Sequence, residues 1–197
     1  MNVLLVIALI IIAIFMSNFL VKMKQEDEKK SKEEQKMKFK DFLLLVKEMD
    51  PEIELSFLLE YYNDSFLSDE DKEKIEMKLT AFATNYSYFV VKRILELELL
   101  KLDNMKDIEY LENLVIETGF PSVFGLSKAY MEEIESLDIR NHILSLVVKL
   151  SKINILKFIE FVEDDISKNN IIEEKEKYFL EDKKTLLEVL QKREKRE

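Results

Sequence analysis

Few residues in this chain are equipped for catalysis. There is no cysteine and a single histidine, His142, which removes thiol nucleophiles, cysteine-ligated zinc and iron–sulfur clusters together. No Glu-x-x-His precedes His142, so the helix-bundle di-iron pattern fails, and a lone helical histidine reads as a surface or half-buried residue rather than a ligand. Two glycines, Gly119 and Gly125, cannot build a phosphate loop, a dinucleotide fingerprint or a nucleophile elbow. Acids cluster at Asp69-Glu70-Asp71, Glu132-Glu133, Asp164-Asp165 and Glu173-Glu174. Successive helical positions point about 100° apart, so neighbours in such a pair do not converge on one ion. The first cluster also lacks the loop glycine and terminal glutamate of a calcium-binding hand. These acids read as solvated faces and helix starts. No catalytic residue, metal ligand or cofactor is predicted, and the chain reads as a non-enzyme; a hydrolase with a cryptic carboxylate site is the alternative from another class.

The elements that would position any binding surface are helical. From Met37 onward, 161 residues hold only two glycines and two prolines, too few for the tight turns that sheets require. Phe39, Phe42, Leu43 and Val46 form a helical stripe. Asp50-Pro51 predicts an N-cap followed by proline in the first turn, with the helix running to about Tyr62. Ser68, with Asp71 three residues on, opens the next and buries Ile75, Leu79 and Phe82. Residues 88–102 are ambiguous, because Leu95, Leu97 and Leu99 alternate with charge as in a strand; their length favours a helix wrapped by neighbours. Further helices carry Ile108, Leu111 and Val115 up to a left-handed cap at Gly119, then Val123, Leu126, Tyr130 and Ile134 after Pro121. Asp138 is expected to cap one bearing Ile143, Leu146, Val147 and Leu150. Ile155, Phe158, Ile159, Val162 and Ile166 define another, and Asn170 opens a long last helix. The fold class is all-α, with about eight or nine helices in a bundle or an irregular, repeat-like stack of hairpins. Small residues do not recur at fixed positions, so no named repeat family is supported.

Ahead of this domain (37–191) lies a different kind of sequence. Val3 to Val21 is uncharged and almost wholly apolar; as a helix it spans roughly 29 Å, close to the hydrocarbon thickness of a bilayer. Residues 1–21 are therefore expected to be a transmembrane anchor, contacting lipid through residues 3–21. The run lacks the basic start and small-residue cleavage site of a secretory signal. Residues 22–36 hold six lysines, five acids and no large aliphatic or aromatic residue but Met23, and read as a solvated spacer. Lys22 and Lys24 would engage headgroups. Lysines follow the span and none precedes it, which predicts an external amino terminus and a cytoplasmic domain. Residues 192–197 form a charged tail, read as a solvated helix end.

Charge narrows the partners. The chain is −10 overall, and from residue 37 on it has 24 basic and 35 acidic residues, a balance of −11. Nucleic acid is excluded by such a surface, and a basic protein partner is favoured. Lysine outnumbers arginine 26 to 4, the bias of an AT-rich, bacterial genome. Two places stand out as candidate protein-binding surfaces. One is the apolar segment 119–125, with Phe120, Val123 and Phe124 as a docking knob between flexible glycines; its competing structural role is a staple of Phe120 to the core. The other is Tyr61 and Tyr62. The expectation is a single-pass, membrane-anchored helical scaffold or adaptor of unstated oligomeric order. An extracytoplasmic component of an envelope or secretion assembly is the alternative.

Overall fold

The computed structural model describes residues 41, 42, 44, 46, 49–63, 67–99, 105–168 and 173–195. The expected anchor, spacer, Lys22, Lys24, Phe39, Leu43, Asn170 and the last two residues lie outside these. Among the described residues no helix is long and apolar enough to cross a membrane. Residues 1–49 and 50–197 are separate compact units. In the first, residues 41, 42, 44 and 46 are helical, with Phe42 and Val46 buried.

Every regular element among the described residues of the second unit is a helix: α1 (Pro51–Tyr62), α2 (Asp69–Asn85), α3 (Ser87–Leu99), α4 (Met105–Thr118), α5 (Phe120–Glu133), α6 (Leu137–Val147), α7 (Lys152–Lys168) and α8 (Glu173–Glu194). Local sequence explains the boundaries. Pro51 occupies the first turn of α1, where its missing N–H is no loss. At α2, Ser68 Oγ accepts the Asp71 N–H at 3.2 Å, an N-cap bond, and its hydroxyl donates to Asp71 Oδ2 at 2.7 Å. Gly119 has φ +68° with ψ −113°, a positive-φ conformation open to glycine; it stands at the N-cap of α5 rather than forming the expected left-handed cap of α4. The cap of α6 differs from expectation. Ser136 stands at the N-cap, and Asp138 lies inside the first turn, where its charge suits the positive helix end.

Residues 87–99 are helical, and the alternation of leucines does not produce a strand. Leu95 and Leu97 are both buried while Leu99 is exposed. Positions two apart point to nearly opposite sides of a helix, so α3 is covered on more than one side. The main contacts run between helices no more than three apart in order. The odd helices α1, α3, α5 and α7 pack in one file, and α2, α4 and α6 in a second. The expected inward residues of α2, α5 and α6 are buried without exception; on α4 and α7, Ile108 and Ile166 are only half-buried, and Leu114 joins the core.

At the centre, α5 crosses α3 at close range. A Cβ on Gly125 would stand 2.5 Å from the Ser87 carbonyl carbon and 2.6 Å from the Tyr88 nitrogen. Gly125 is thus a crossing point that admits no side chain, not the flexible flank of a loop. The C-terminal end is likewise more engaged than a solvated tail. Arg193 donates from Nη1 to the Leu150 carbonyl at 2.9 Å and from Nη2 to the Val148 carbonyl. It thereby satisfies carbonyls left open where α6 ends.

A buried polar network fixes α8 against α5 and α6. Tyr130 donates to Asp182 Oδ2 at 2.6 Å, and Arg140 Nη1 donates to the Ile134 carbonyl at 2.7 Å. Arg140 Nε lies 3.0 Å from the same Asp182 oxygen, as an ion pair whose N–H does not point at it. The Arg140 guanidinium also stacks on the Tyr178 ring at 4.6 Å. Burial lifts the Asp182 carboxyl above its ordinary range, against the opposing pull of the Tyr130 hydroxyl and Arg140. Burial of Arg140 was not expected from sequence.

Candidate functional site

An open groove of about 780 Å³ lies between α5 and α7. From α5 it is lined by Phe124, Ser127, Lys128, Met131 and Glu132, and from α7 by Phe161, Asp164, Asp165 and Lys168. The spacing explains the lining. Phe124, Lys128 and Met131 recur at i, i+4 and i+7 along α5, and Phe161, Asp165 and Lys168 do the same along α7, so each set occupies one helical face. The walls are aromatic and thioether, and the rim is charged.

Several rim groups are held in place by neighbours. Tyr88, on the first turn of α3, donates to Glu132 Oε2 at 2.5 Å, and Lys128 Nζ sits 3.9 Å from the centre of the Tyr88 ring. Burial first, and then the Glu132 carboxylate, push the Tyr88 phenol up to about 12, so it remains a proton donor at neutral pH. Lys168 is paired with Asp164 one turn back on α7. Glu132 and the Asp164-Asp165 pair, from two of the acid clusters seen in the sequence, therefore border one groove, although nothing in their spacing announced it.

The five candidate residues part company here. Phe124 is 62% exposed and Phe120 is 53% exposed. Phe120 meets Phe161 edge-on at a centroid distance of 6.1 Å, which ties it to the groove side rather than stapling it into the core. Val123 is fully buried and belongs to the interior. Tyr62 stacks on Tyr110 of α4 at 4.7 Å and donates to Glu76 Oε1 at 3.0 Å, so its ring joins α1 to α4 and its hydroxyl joins α1 to α2. Tyr61 is half-buried on the same helix. The structure brings Phe120 and Phe124 together and leaves the tyrosines apart, on α1. Met131 and Phe161, both half-buried, complete the groove and were missed; their pairing is visible only once α7 is known to lie alongside α5.

A second cluster gathers around His142. Its Nδ1 lies 2.8 Å from Glu98 Oε2 of α3, and its Nε2 lies 3.6 Å from Glu112 Oε1 of α4. Lys149 Nζ holds the other Glu112 oxygen at 2.9 Å. His142 and Glu112 are largely buried, and Glu98 is more open. The sequence reading gave His142 no ligand role because its partners come from two other helices, 44 and 30 residues away. Comparison of the chain with protein-family models, characterised proteins and solved structures yields no match.

Proposed function

We propose that this chain is a single-pass membrane-anchored adaptor whose helical domain binds a basic amphipathic helix of a partner protein in the groove between α5 and α7. The observation that carries the reading is the exposure of Phe124 beside Phe161 in an apolar groove that the chain's own described residues leave uncovered. Large exposed apolar surface rimmed by charge favours association, and a channel between two helices suits the apolar stripe of a third. Charge selects the occupant. The rim carries three carboxylates against two ammonium groups, and both ammonium groups already sit on neighbours. With a balance of −11 behind it, the groove favours an incoming helix that carries lysine or arginine beside its apolar stripe. Residues 3–21 supply the membrane anchor, and the lysines that follow favour a cytoplasmic domain.

The test places a photo-crosslinking amino acid at position 124 of the full chain in its own cells, with exposed Met77 on α2 as the control position. The expected product is an adduct specific to position 124, in which the attached peptide is an amphipathic segment rich in lysine or arginine. An adduct equally strong from Met77, an acidic or non-helical attached segment, or no adduct overturns the groove reading. Alkaline extraction tests the anchor separately, with the chain expected in the membrane pellet. Digestion of the domain by protease added to intact cells would place it outside.

A further inference from the structure

We infer that Glu98, Glu112 and His142 form a binding site for a divalent transition-metal cation of the zinc class. The three residues come from α3, α4 and α6, and one donor atom from each lies within 4.8 Å of the others. Metal bonds of about 2.0–2.2 Å to imidazole nitrogen and carboxylate oxygen set neighbouring donors of a tetrahedral site roughly 3.4 Å apart. His142 turns Nδ1 toward Glu98 Oε2 at 2.8 Å and Nε2 toward Glu112 Oε1 at 3.6 Å, so a single cation takes one of the two ring nitrogens.

The state of Nε2 indicates which. His142 Nε2 is buried and makes no hydrogen bond, although buried ring nitrogens nearly always have a partner. A cation on Nε2 beside Glu112 gives that nitrogen one, while Nδ1 faces Glu98, the outer carboxylate that orients the ring. The donor set selects the ion: one imidazole suits zinc, nickel or cobalt, whereas magnesium and calcium favour all-oxygen shells. Two carboxylates and a neutral imidazole balance a charge of +2. Lys149 bonds to Glu112 Oε2, which holds the carboxylate in place from its outer side. On the Glu98 side the cluster opens into a small cleft of about 220 Å³, which Asp138 also lines. Asp138 stands one turn before His142 on α6 and adds a third carboxylate near the cluster. His142 and Glu112 as protein ligands leave the remaining positions to water, the arrangement of an accessible rather than a closed site.

The experiment titrates zinc chloride into the full chain in mild detergent, followed by calorimetry, with cobalt(II) absorption as a spectroscopic check and magnesium chloride as the control cation. One zinc per chain is expected, with ligand-field bands from cobalt and no histidine-dependent binding of magnesium. Loss of an outer-shell partner alone commonly weakens metal sites by roughly 10–100-fold, so His142→Ala and Glu112→Gln should each weaken zinc at least that much. Glu98→Gln guards against misfolding as the cause, because Glu98 is the most open of the three side chains; it should weaken zinc while leaving the helical circular dichroism intact. Failure of the wild-type chain to bind zinc, or binding that survives both His142→Ala and Glu98→Gln, overturns the site and leaves His142 as an ion-paired imidazole between two carboxylates.

Discussion

The two sides of α5 are built on opposite rules. Toward α3 it presents Ser122, Gly125 and Ala129, all buried, and the backbones approach until no Cβ fits at Gly125. Toward α7 it presents Phe120 and Phe124, large rings left more than half in solvent. A helix optimised only for stability would reverse this, since burying a phenylalanine contributes about 1.5–3 kcal/mol. Small residues where packing is tightest and large apolar rings where the groove opens describe a scaffold on one side and a recognition surface on the other.

The contrast breaks most readily at the crossing. Gly125→Val would drive methyl groups into the Ser87 carbonyl and Tyr88 nitrogen, backbone atoms that cannot swing aside. The expected loss is about 3 kcal/mol or more, the upper end of overpacking costs, read as a lower urea midpoint with circular dichroism on the full chain in detergent. A loss near zero would mean that α3 and α5 slide past each other easily, and the tight side of the comparison would disappear.

Tyr130 also lies on the buried side, and its removal gives a smaller, pH-dependent effect. Tyr130→Phe takes away the hydroxyl that donates to Asp182, and hydrogen bonds to charged groups contribute about 1.5–3 kcal/mol. The sign of the pH dependence follows from burial. Asp182 has its folded carboxyl raised above 3.8, so the folded chain holds that proton more tightly than the unfolded one. Its stabilising share is complete below the unfolded value and is lost as pH rises through the raised one. The Tyr130 hydroxyl favours the ionised carboxylate, and without it the carboxyl rises further. The deficit of Tyr130→Phe is therefore smallest in acid, where both proteins carry the proton, and grows toward neutral pH. Denaturation of wild type and variant across that interval checks the direction; a deficit that shrinks as pH rises would remove Asp182 as its cause.

What could be read from the chain beforehand divides along the same line. Helix positions and their inward stripes were legible, because a period of 3.6 residues and the helix starts at Pro51 and Ser68 are local properties; Gly119 marks the break between α4 and α5, but not as the left-handed cap expected. The cap of α6 was misplaced by two residues because Ser136 and Asp138 both suit a helix start. Gly125 looked like a hinge, since nothing local shows that Ser87 of another helix approaches it. Arg193 looked like part of a solvated tail for the same reason, its acceptors being the carbonyls of Val148 and Leu150, and the burial of Arg140 beside Asp182 and the Ile134 carbonyl has no local signal either. Of the proposed surface, Phe120 and Phe124 were identified from an apolar run where polar residues were expected. Met131 and Phe161 needed the packing of α5 beside α7. His142 was dismissed as a ligand because sequence spacing cannot reveal a cluster drawn from three helices.

The smallest stability effect gives the sharpest test of the comparison. Phe124→Ser removes a ring that is already 62% in solvent, and substitutions away from packed features usually stay within about 0.5 kcal/mol. The urea midpoint should barely move, in contrast to Gly125→Val one position along the chain. Recognition should respond in the opposite sense. With the crosslinker moved to Met131, which lines the same groove, Phe124→Ser should abolish the adduct while Gly125 and its crossing remain intact. Should Phe124→Ser instead lower the midpoint as much as Tyr130→Phe does, Phe124 would be an ordinary structural residue and the open side of α5 would lose its distinction. Two adjacent positions on one helix would then report the same physics, and nothing about α5 would set its exposed face aside for a partner.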